Sequence, residues 1–98
     1  MKLLTEEIKK QLPPFYSTEM VPEKEKVVVV KFFQPWGSWT WYGVEYDPKD
    51  RIFFGLVDGF EKEWGYFSLT ELESVEGPFG LKIEMDINFP PQPIGKYL

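Results

Sequence analysis

The fold of this chain is decided by residues 27–43, VVVVKFFQPWGSWTWYG. Two runs rich in β-branched and aromatic residues flank a break at residues 34–38, and this pattern predicts two antiparallel strands joined by a short loop. A two-stranded hairpin is at best marginally stable in water. The rest of the chain must therefore supply further strands and a covering layer.

Strand patterns continue beyond this hairpin and predict a four-strand meander over residues 26–67. We expect the strands at residues 26–33, 38–46, 51–57 and 60–67. Turn residues at 47–50 and the pair Asp58-Gly59, which tolerates positive φ, separate the last three.

The two-residue repeat of a strand assigns side chains of the first two strands to faces. In the first strand the predicted inward residues are Val28, Val30 and Phe32. In the second strand, one face is predicted to carry Trp39, Trp41 and Gly43, and the other Thr40, Tyr42, Val44 and Tyr46.

Two short helices are predicted, one before the meander in the sequence and one after it. Within residues 1–14, Thr5 is a typical N-cap before two glutamates, and Pro13-Pro14 forbids continuation. Over residues 68–76, Ser68 and Glu71 have the spacing of a capping box.

The end of the chain is predicted to return to extended structure. Residues 82–89 alternate throughout and predict a half-exposed strand whose inward residues are Ile83, Met85, Ile87 and Phe89. The Pro-rich tail at 90–98 cannot join a sheet interior, so we expect it to be extended at an edge.

These elements predict a single α+β domain over residues 1–98, with a mostly antiparallel meander sheet of about five strands and two short helices. The third strand is apolar on both faces, and two short helices cannot cover both sides of such a sheet. Either the sheet is rolled on itself, or one aromatic face is left for a partner.

Composition excludes several classes of chemistry. The 98 residues contain no cysteine and no histidine, which removes thiolate nucleophiles and the commonest general base and metal ligand. We expect no cofactor and no catalytic residue. The net charge of −5 disfavours binding to the phosphate groups of nucleic acids. No apolar run has the length of a membrane span, so we expect a cytoplasmic protein that does not contact membranes.

Several segments together resemble the bacterial family catalogued as domain of unknown function 2958. They are VKFF (30–33), WTWY (39–42), FFGLV (53–57), GYFSL (65–69) and ELESV (71–75). The resemblance implies a small cytoplasmic protein encoded on a mobile genetic element such as a plasmid or prophage, and it implies no activity. Many members carry a longer acidic insertion where this chain has only residues 45–50.

The first functional hypothesis is a non-catalytic protein-binding module. It would engage a protein partner, such as a basic nucleic-acid-binding host protein, through an acidic and aromatic surface, and a DNA-mimic-like inhibitor of host defence is one form of this hypothesis. The candidate residues are Trp36, Tyr42, Glu45, Asp47, Asp58, Glu61 and Glu63.

Two other hypotheses remain open. The tryptophans of the hairpin, Trp36, Trp39 and Trp41, would stack on bases if the protein binds single-stranded nucleic acid. The carboxylates Glu61 and Glu63 are predicted to share a strand face and would serve a metal-dependent enzyme, although no metal-ligand spacing accompanies them.

Overall fold

The computed structural model, which describes residues 2–98, contains one open five-stranded antiparallel sheet and a separate pair of short strands. The strands are β1 (Val27–Val28), β2 (Val30–Phe33), β3 (Thr40–Asp47), β4 (Ile52–Asp58), β5 (Lys62–Ser68), β6 (Glu84–Met85) and β7 (Gln92–Pro93). The main sheet has the order β5-β4-β3-β2-β6, and β1 pairs separately with β7. The predicted α+β class and five-stranded antiparallel sheet are confirmed, but the rolled alternative is wrong because the sheet is not closed.

The two helices form where their capping residues predict. Helix α1 (Glu6–Gln11) begins after Thr5, whose hydroxyl accepts the backbone N–H of Ile8 at 3.2 Å. Helix α2 (Leu69–Ser74) begins after Ser68, whose hydroxyl accepts the N–H of Glu71 at 3.1 Å. Single turns of 3-10 helix add Glu23–Glu25, Pro78–Gly80 and Ile94–Tyr97. Among residues 2–98, no helix has both the length and the apolar character that crossing a bilayer requires.

A β-bulge interrupts β3. Gly43 pairs with Gly55, yet the preceding residue of β4, Phe54, pairs with Glu45. Val44 is therefore an extra residue on β3. Past such a bulge, the alternation of side chains between the two faces of a strand shifts by one residue.

The bulge changes which face Tyr46 occupies. The unbroken alternation would place it with Tyr42 and Val44, but Tyr46 is buried on the opposite face, where Trp41 also packs. The predicted assignment of Tyr46 is therefore wrong. Sequence periodicity assumes a regular strand, and one extra residue reverses the faces beyond it.

Each face of the sheet has its own core. The first-face core is built from both helical segments and the sheet; its buried members are Leu3, Leu4, Val30, Phe32, Tyr46, Phe53, Phe67, Leu69, Leu72 and Ile83. The second-face core is smaller, and its buried members are Val28, Tyr42, Val44, Leu56 and Ile94. The second face is thus covered largely by the end of the chain rather than by a helix.

The last predicted strand is mostly absent. Only two residues, in β6, pair with β2, and Ile87 is 82% exposed rather than inward. The side chain of Asp86 accepts the N–H of Asn88 at 3.0 Å, and its carbonyl accepts the N–H of Phe89 at 3.3 Å. These bonds form a turn that ends the strand, which side-chain alternation alone does not reveal.

The expected extended edge tail is found at β7, which pairs with β1, but the residues after it differ from the prediction. After β7 the chain forms the 3-10 helix Ile94–Tyr97, and Ile94 is completely buried. The ring of Tyr97 stacks on Tyr42 with centroids 4.6 Å apart. This segment supplies the cover that the two α-helices cannot give to the second face.

Candidate functional site

Two of the predicted partner-binding residues are buried and do not form a surface. Tyr42 belongs to the second-face core. Glu45 is only 4% exposed, and its carboxylate accepts the backbone N–H groups of Tyr16 at 2.9 Å and Thr18 at 3.0 Å, together with the hydroxyl of Thr18. Glu45 therefore organises the loop at residues 15–20. The bulge at Val44 explains this, because it turns Glu45 toward that loop.

Asp47 lies at the far end of β3 from the other predicted acidic residues. Its carboxylate accepts the backbone N–H of Lys49 at 3.0 Å and so stabilises the turn between β3 and β4. Thr40 pairs with Asp58 at the opposite end of the same strand. The structure therefore separates Asp47 from Asp58, Glu61 and Glu63.

Three loops meet at the end of the sheet where Asp58 lies, and we call this region the hairpin end. They are the β2–β3 loop at residues 34–39, the β4–β5 loop at 59–61 and the connection from α2 to β6 at 75–83. A Cβ atom on Gly59 would lie 2.4 Å from the ring of Trp39, and one on Gly77 would lie 2.5 Å from the ring of Trp36. The two indoles thus pack directly on neighbouring loops.

The turn at Asp58-Gly59 differs from the predicted one. β5 begins at Lys62 rather than at Phe60, so that a loop of three residues joins the strands, and Gly59 does not have a positive φ. Glycine is required here because the Trp39 ring approaches so closely. Glu61 lies in this loop, so the predicted strand face shared by Glu61 and Glu63 is wrong.

Two phenylalanines of the hairpin end point into solvent. Phe60 is 95% exposed, with its ring edge-on to Trp39 at 5.3 Å, and Phe79 is fully exposed. Phe79 also has a φ of 58°, a left-handed conformation that is strained for a residue with a side chain. Sequence reasoning missed both rings, since it placed Phe60 in a strand and gave Phe79 no role. The available signal was a large apolar residue beside glycine in a loop.

Carboxylates flank Phe60 along the chain. Glu61 and Glu63 are exposed and Asp58 is half-buried. Lys62 is the neighbouring cation on β5, while Lys82 is paired with Glu76 at 3.1 Å. The hairpin end therefore combines apolar rings with an excess of negative charge.

The three tryptophans proposed as a stacking platform are each half-buried. Trp36 and Trp41 pack against the first-face core, and the ring of Trp41 lies 6.0 Å from that of Trp39. The hairpin end thus brings the three indoles into one region, with part of each ring used in packing.

The chain has no cysteine. Within the described part of the chain, residues 2–98, no three acidic side chains come together in a way that could hold a metal ion. Glu61 and Glu63 therefore have no third acidic side chain, among the described residues, with which to hold a metal ion.

Comparison with known proteins places the chain in a family. A family model described as "Protein of unknown function (DUF2958)" matches residues 3–98. The chain belongs to this family, and the resemblance found in the sequence is confirmed. No curated protein and no solved structure matches the chain.

Proposed function

We propose that this chain is a non-catalytic protein-binding module that engages a basic protein through the hairpin end. The observation that supports the proposal is the exposure of Phe60 and Phe79 at the hairpin end, where the carboxylates of Asp58, Glu61 and Glu63 also lie. Aromatic anchors inside a charged rim are typical of protein interfaces, where burial of the rings provides most of the binding free energy.

The backbone at Phe79 supports a functional rather than structural role for its ring. A left-handed conformation destabilises a residue with a side chain by about 1–2 kcal/mol, and here the ring gains no packing in exchange. Glycine at this position would be more stable. A strained residue that presents an apolar ring to water is most readily understood as part of a binding surface.

The charge of the hairpin end indicates the class of partner. Asp58, Glu61 and Glu63 outnumber the nearby Lys62, and a surface of this sign attracts a basic protein. Nucleic-acid-binding proteins present basic surfaces of the kind that this acidic region would attract. If the chain is cytoplasmic and encoded on a mobile genetic element, as its family resemblance implies, proteins of host defence are natural targets, and occupation of their phosphate-binding surface would be DNA mimicry.

The test uses purified restriction, CRISPR and replication proteins as candidate partners of the intact chain. Wild type is compared with a Phe60→Ser, Phe79→Gly double variant and with Met20→Ser. Met20 is as exposed as Phe60 but lies in the loop after α1, which makes it a matched control. We expect at least one partner to bind wild type and Met20→Ser about equally, and the double variant about tenfold or more weakly.

Higher salt should weaken this binding, because opposite charges steer the two surfaces together. Equal binding of the double variant and wild type, or no binding across the panel at low salt, would contradict the proposal. A parallel titration with single-stranded oligonucleotides follows tryptophan fluorescence. Quenching that is lost in Trp39→Leu would favour nucleic-acid stacking instead.

A further inference from the structure

A second candidate site lies on the second face, toward the end of the sheet away from the hairpin end. Glu45 pairs with Phe54 across β3 and β4, and Phe54 pairs with Tyr66 across β4 and β5. Directly paired residues point to the same face of a sheet. A carboxylate and two aromatic rings therefore form a row across three strands, beyond the area covered by Ile94 and Tyr97.

The loop at residues 15–20 lies over this row and adds a third ring. Tyr16 has a φ of 69°, and its backbone N–H is held by the buried carboxylate of Glu45 at 2.9 Å. Its side chain remains 65% exposed. The loop is thus fixed by buried hydrogen bonds in a strained conformation that leaves the Tyr16 ring at the rim of a pocket.

The planes of these aromatic rings are steeply inclined to one another rather than parallel. Phe54 and Tyr66 lie 5.4 Å apart at 56°, and Phe15 lies 5.4 Å from Tyr66 at 64°. Behind them, Trp64 stacks on Phe54 at 5.6 Å and fixes its orientation. A pocket of about 220 Å³ lies beside the rings of Phe54 and Tyr66, and its lining residues are Tyr16, Glu19, Lys26, Glu45, Phe54 and Tyr66.

The charges in the pocket favour a cation. Two carboxylates, Glu19 and Glu45, line it against one ammonium, Lys26. The ammonium of Lys26 and the carboxylate of Glu45 both form hydrogen bonds to Thr18 and offset each other in charge, so the exposed carboxylate of Glu19 gives the pocket its net negative charge. Partial removal from water, the neighbouring Tyr16 and the carboxylates of Glu45 and Glu19 all raise the pKa of the Tyr66 phenol, which is consistent with a negative local potential.

We propose that this pocket binds an organic ammonium cation, such as a quaternary ammonium group or the end of a lysine side chain. The faces of aromatic rings attract such cations, and a nearby carboxylate adds to the attraction. An anion would meet two carboxylates, and a neutral apolar group would gain nothing from them. The site is separate from the hairpin end, so it stands or falls independently of the proposed function.

The test is a titration of the isotope-labelled full chain followed by backbone amide shifts. The probes are choline, a trimethyl-lysine peptide, the same peptide with unmodified lysine, and 3,3-dimethylbutanol, which has the shape of choline without its charge. We expect saturable shifts around Tyr16 and Tyr66 with at least one cation, and binding about fivefold or more weaker for the neutral analogue. The peptides distinguish a small-molecule cation from a protein side chain.

Two variants connect the binding to the named residues. Tyr66→Leu keeps an apolar side chain at an exposed position of the edge strand but removes the ring face, and it should weaken binding of the cation about fivefold. Phe60→Leu, an exposed aromatic residue at the hairpin end, should leave the binding unchanged. Equal affinity for choline and its neutral analogue, or no saturable shift with any cation, would overturn the proposal.

Discussion

The carboxylate of Glu45 holds the backbone N–H of Tyr16, which lies 29 residues earlier in the chain, at 2.9 Å. The same carboxylate accepts a second backbone N–H, from Thr18 at 3.0 Å, and the Thr18 hydroxyl. Three hydrogen bonds to the buried Glu45 therefore connect the loop after α1 to β3, in the centre of the sheet. The position of this loop decides whether the pocket beside Tyr66 forms, because Tyr16 and Glu19 of the loop line that pocket.

Replacement of Glu45 should be severe for this reason. Glu45→Ala would leave the backbone N–H groups of Tyr16 and Thr18 without their acceptor and would remove one of the two carboxylates that line the pocket with the buried Lys26. We expect a loss of about 2–4 kcal/mol in the free energy of unfolding, measured by urea denaturation. Glu63→Ala, at an exposed position, should change stability by less than about 0.5 kcal/mol. A similar small effect for both variants would show that the loop does not depend on Glu45.

Two isoleucines near the end of the chain offer a matched comparison. Ile94 is completely buried in the second-face core, whereas Ile87 is 82% exposed. Ile94→Ala should lower the free energy of unfolding by about 2–4 kcal/mol, and Ile87→Ala should leave it within about 0.5 kcal/mol of wild type. Thermal unfolding of both variants checks this. If the two behave alike, the 3-10 helix does not cover the second face.

Three glycines, Gly43, Gly55 and Gly65, are paired in one row across β3, β4 and β5 and form a graded series for substitution by alanine. A Cβ atom on Gly55 would lie 1.8 Å from a backbone carbonyl oxygen, that of Tyr42. On Gly43 it would lie 2.7 Å from a methyl of Val30, which can shift slightly, and on Gly65 it would meet nothing within 4 Å.

We therefore expect the strongest destabilisation from Gly55→Ala, by more than about 3 kcal/mol, because backbone must move. Gly43→Ala should be intermediate, at about 1–3 kcal/mol. Gly65→Ala should be neutral or stabilising by up to about 1 kcal/mol, since alanine loses less entropy on folding. Denaturant midpoints measure the order, and any other order would contradict the paired register.

Glu73 should make stability depend on pH. Burial alone would raise the pKa of its carboxyl, but the backbone N–H of Leu3 at 3.0 Å and the guanidinium of Arg51 at 2.8 Å together outweigh burial and lower the pKa. The folded protein therefore keeps this carboxylate ionised at a lower pH than the unfolded chain does. Its contribution is present at neutral pH and is lost as pH falls through the folded-state pKa.

The check is to compare wild type with Glu73→Gln between pH 7 and pH 3. Wild type should be more stable at pH 7, by about 1 kcal/mol, and the difference should shrink as pH falls. Glu61→Gln, in the exposed β4–β5 loop, is the control variant. A constant difference over the whole range would show that ionisation of Glu73 does not contribute.

Local signals in the sequence predicted much of the fold. Thr5 and Ser68 begin the two helices as N-caps, and both do so through hydroxyl to amide bonds. The β-branched and aromatic runs gave the strands of the meander to within a few residues. These features depend on neighbours in sequence, so pattern and capping chemistry are sufficient to find them.

The remainder depends on contacts between distant residues. The bulge at Val44, which sends Glu45 to one face and Tyr46 to the other, leaves no mark on local composition. Burial of Ile94 depends on an uncovered face elsewhere. Burial of Glu45, which the sequence analysis assigns to the surface, likewise depends on its hydrogen bonds to the distant residues Tyr16 and Thr18. Exposure of Phe60 and Phe79 likewise follows from the geometry of turns rather than from hydrophobicity.

The extra residue at Val44 also constrains how this chain can vary over evolution. Deletion of Val44 would leave Glu45 opposite Phe54 but would remove a buried side chain from the second-face core. A further inserted residue in the middle of β3 would again reverse the alternation beyond it. Length changes in the turn after Asp47 would have no such effect. We expect insertions among homologues to accumulate in that turn and to be purged from the middle of the strand.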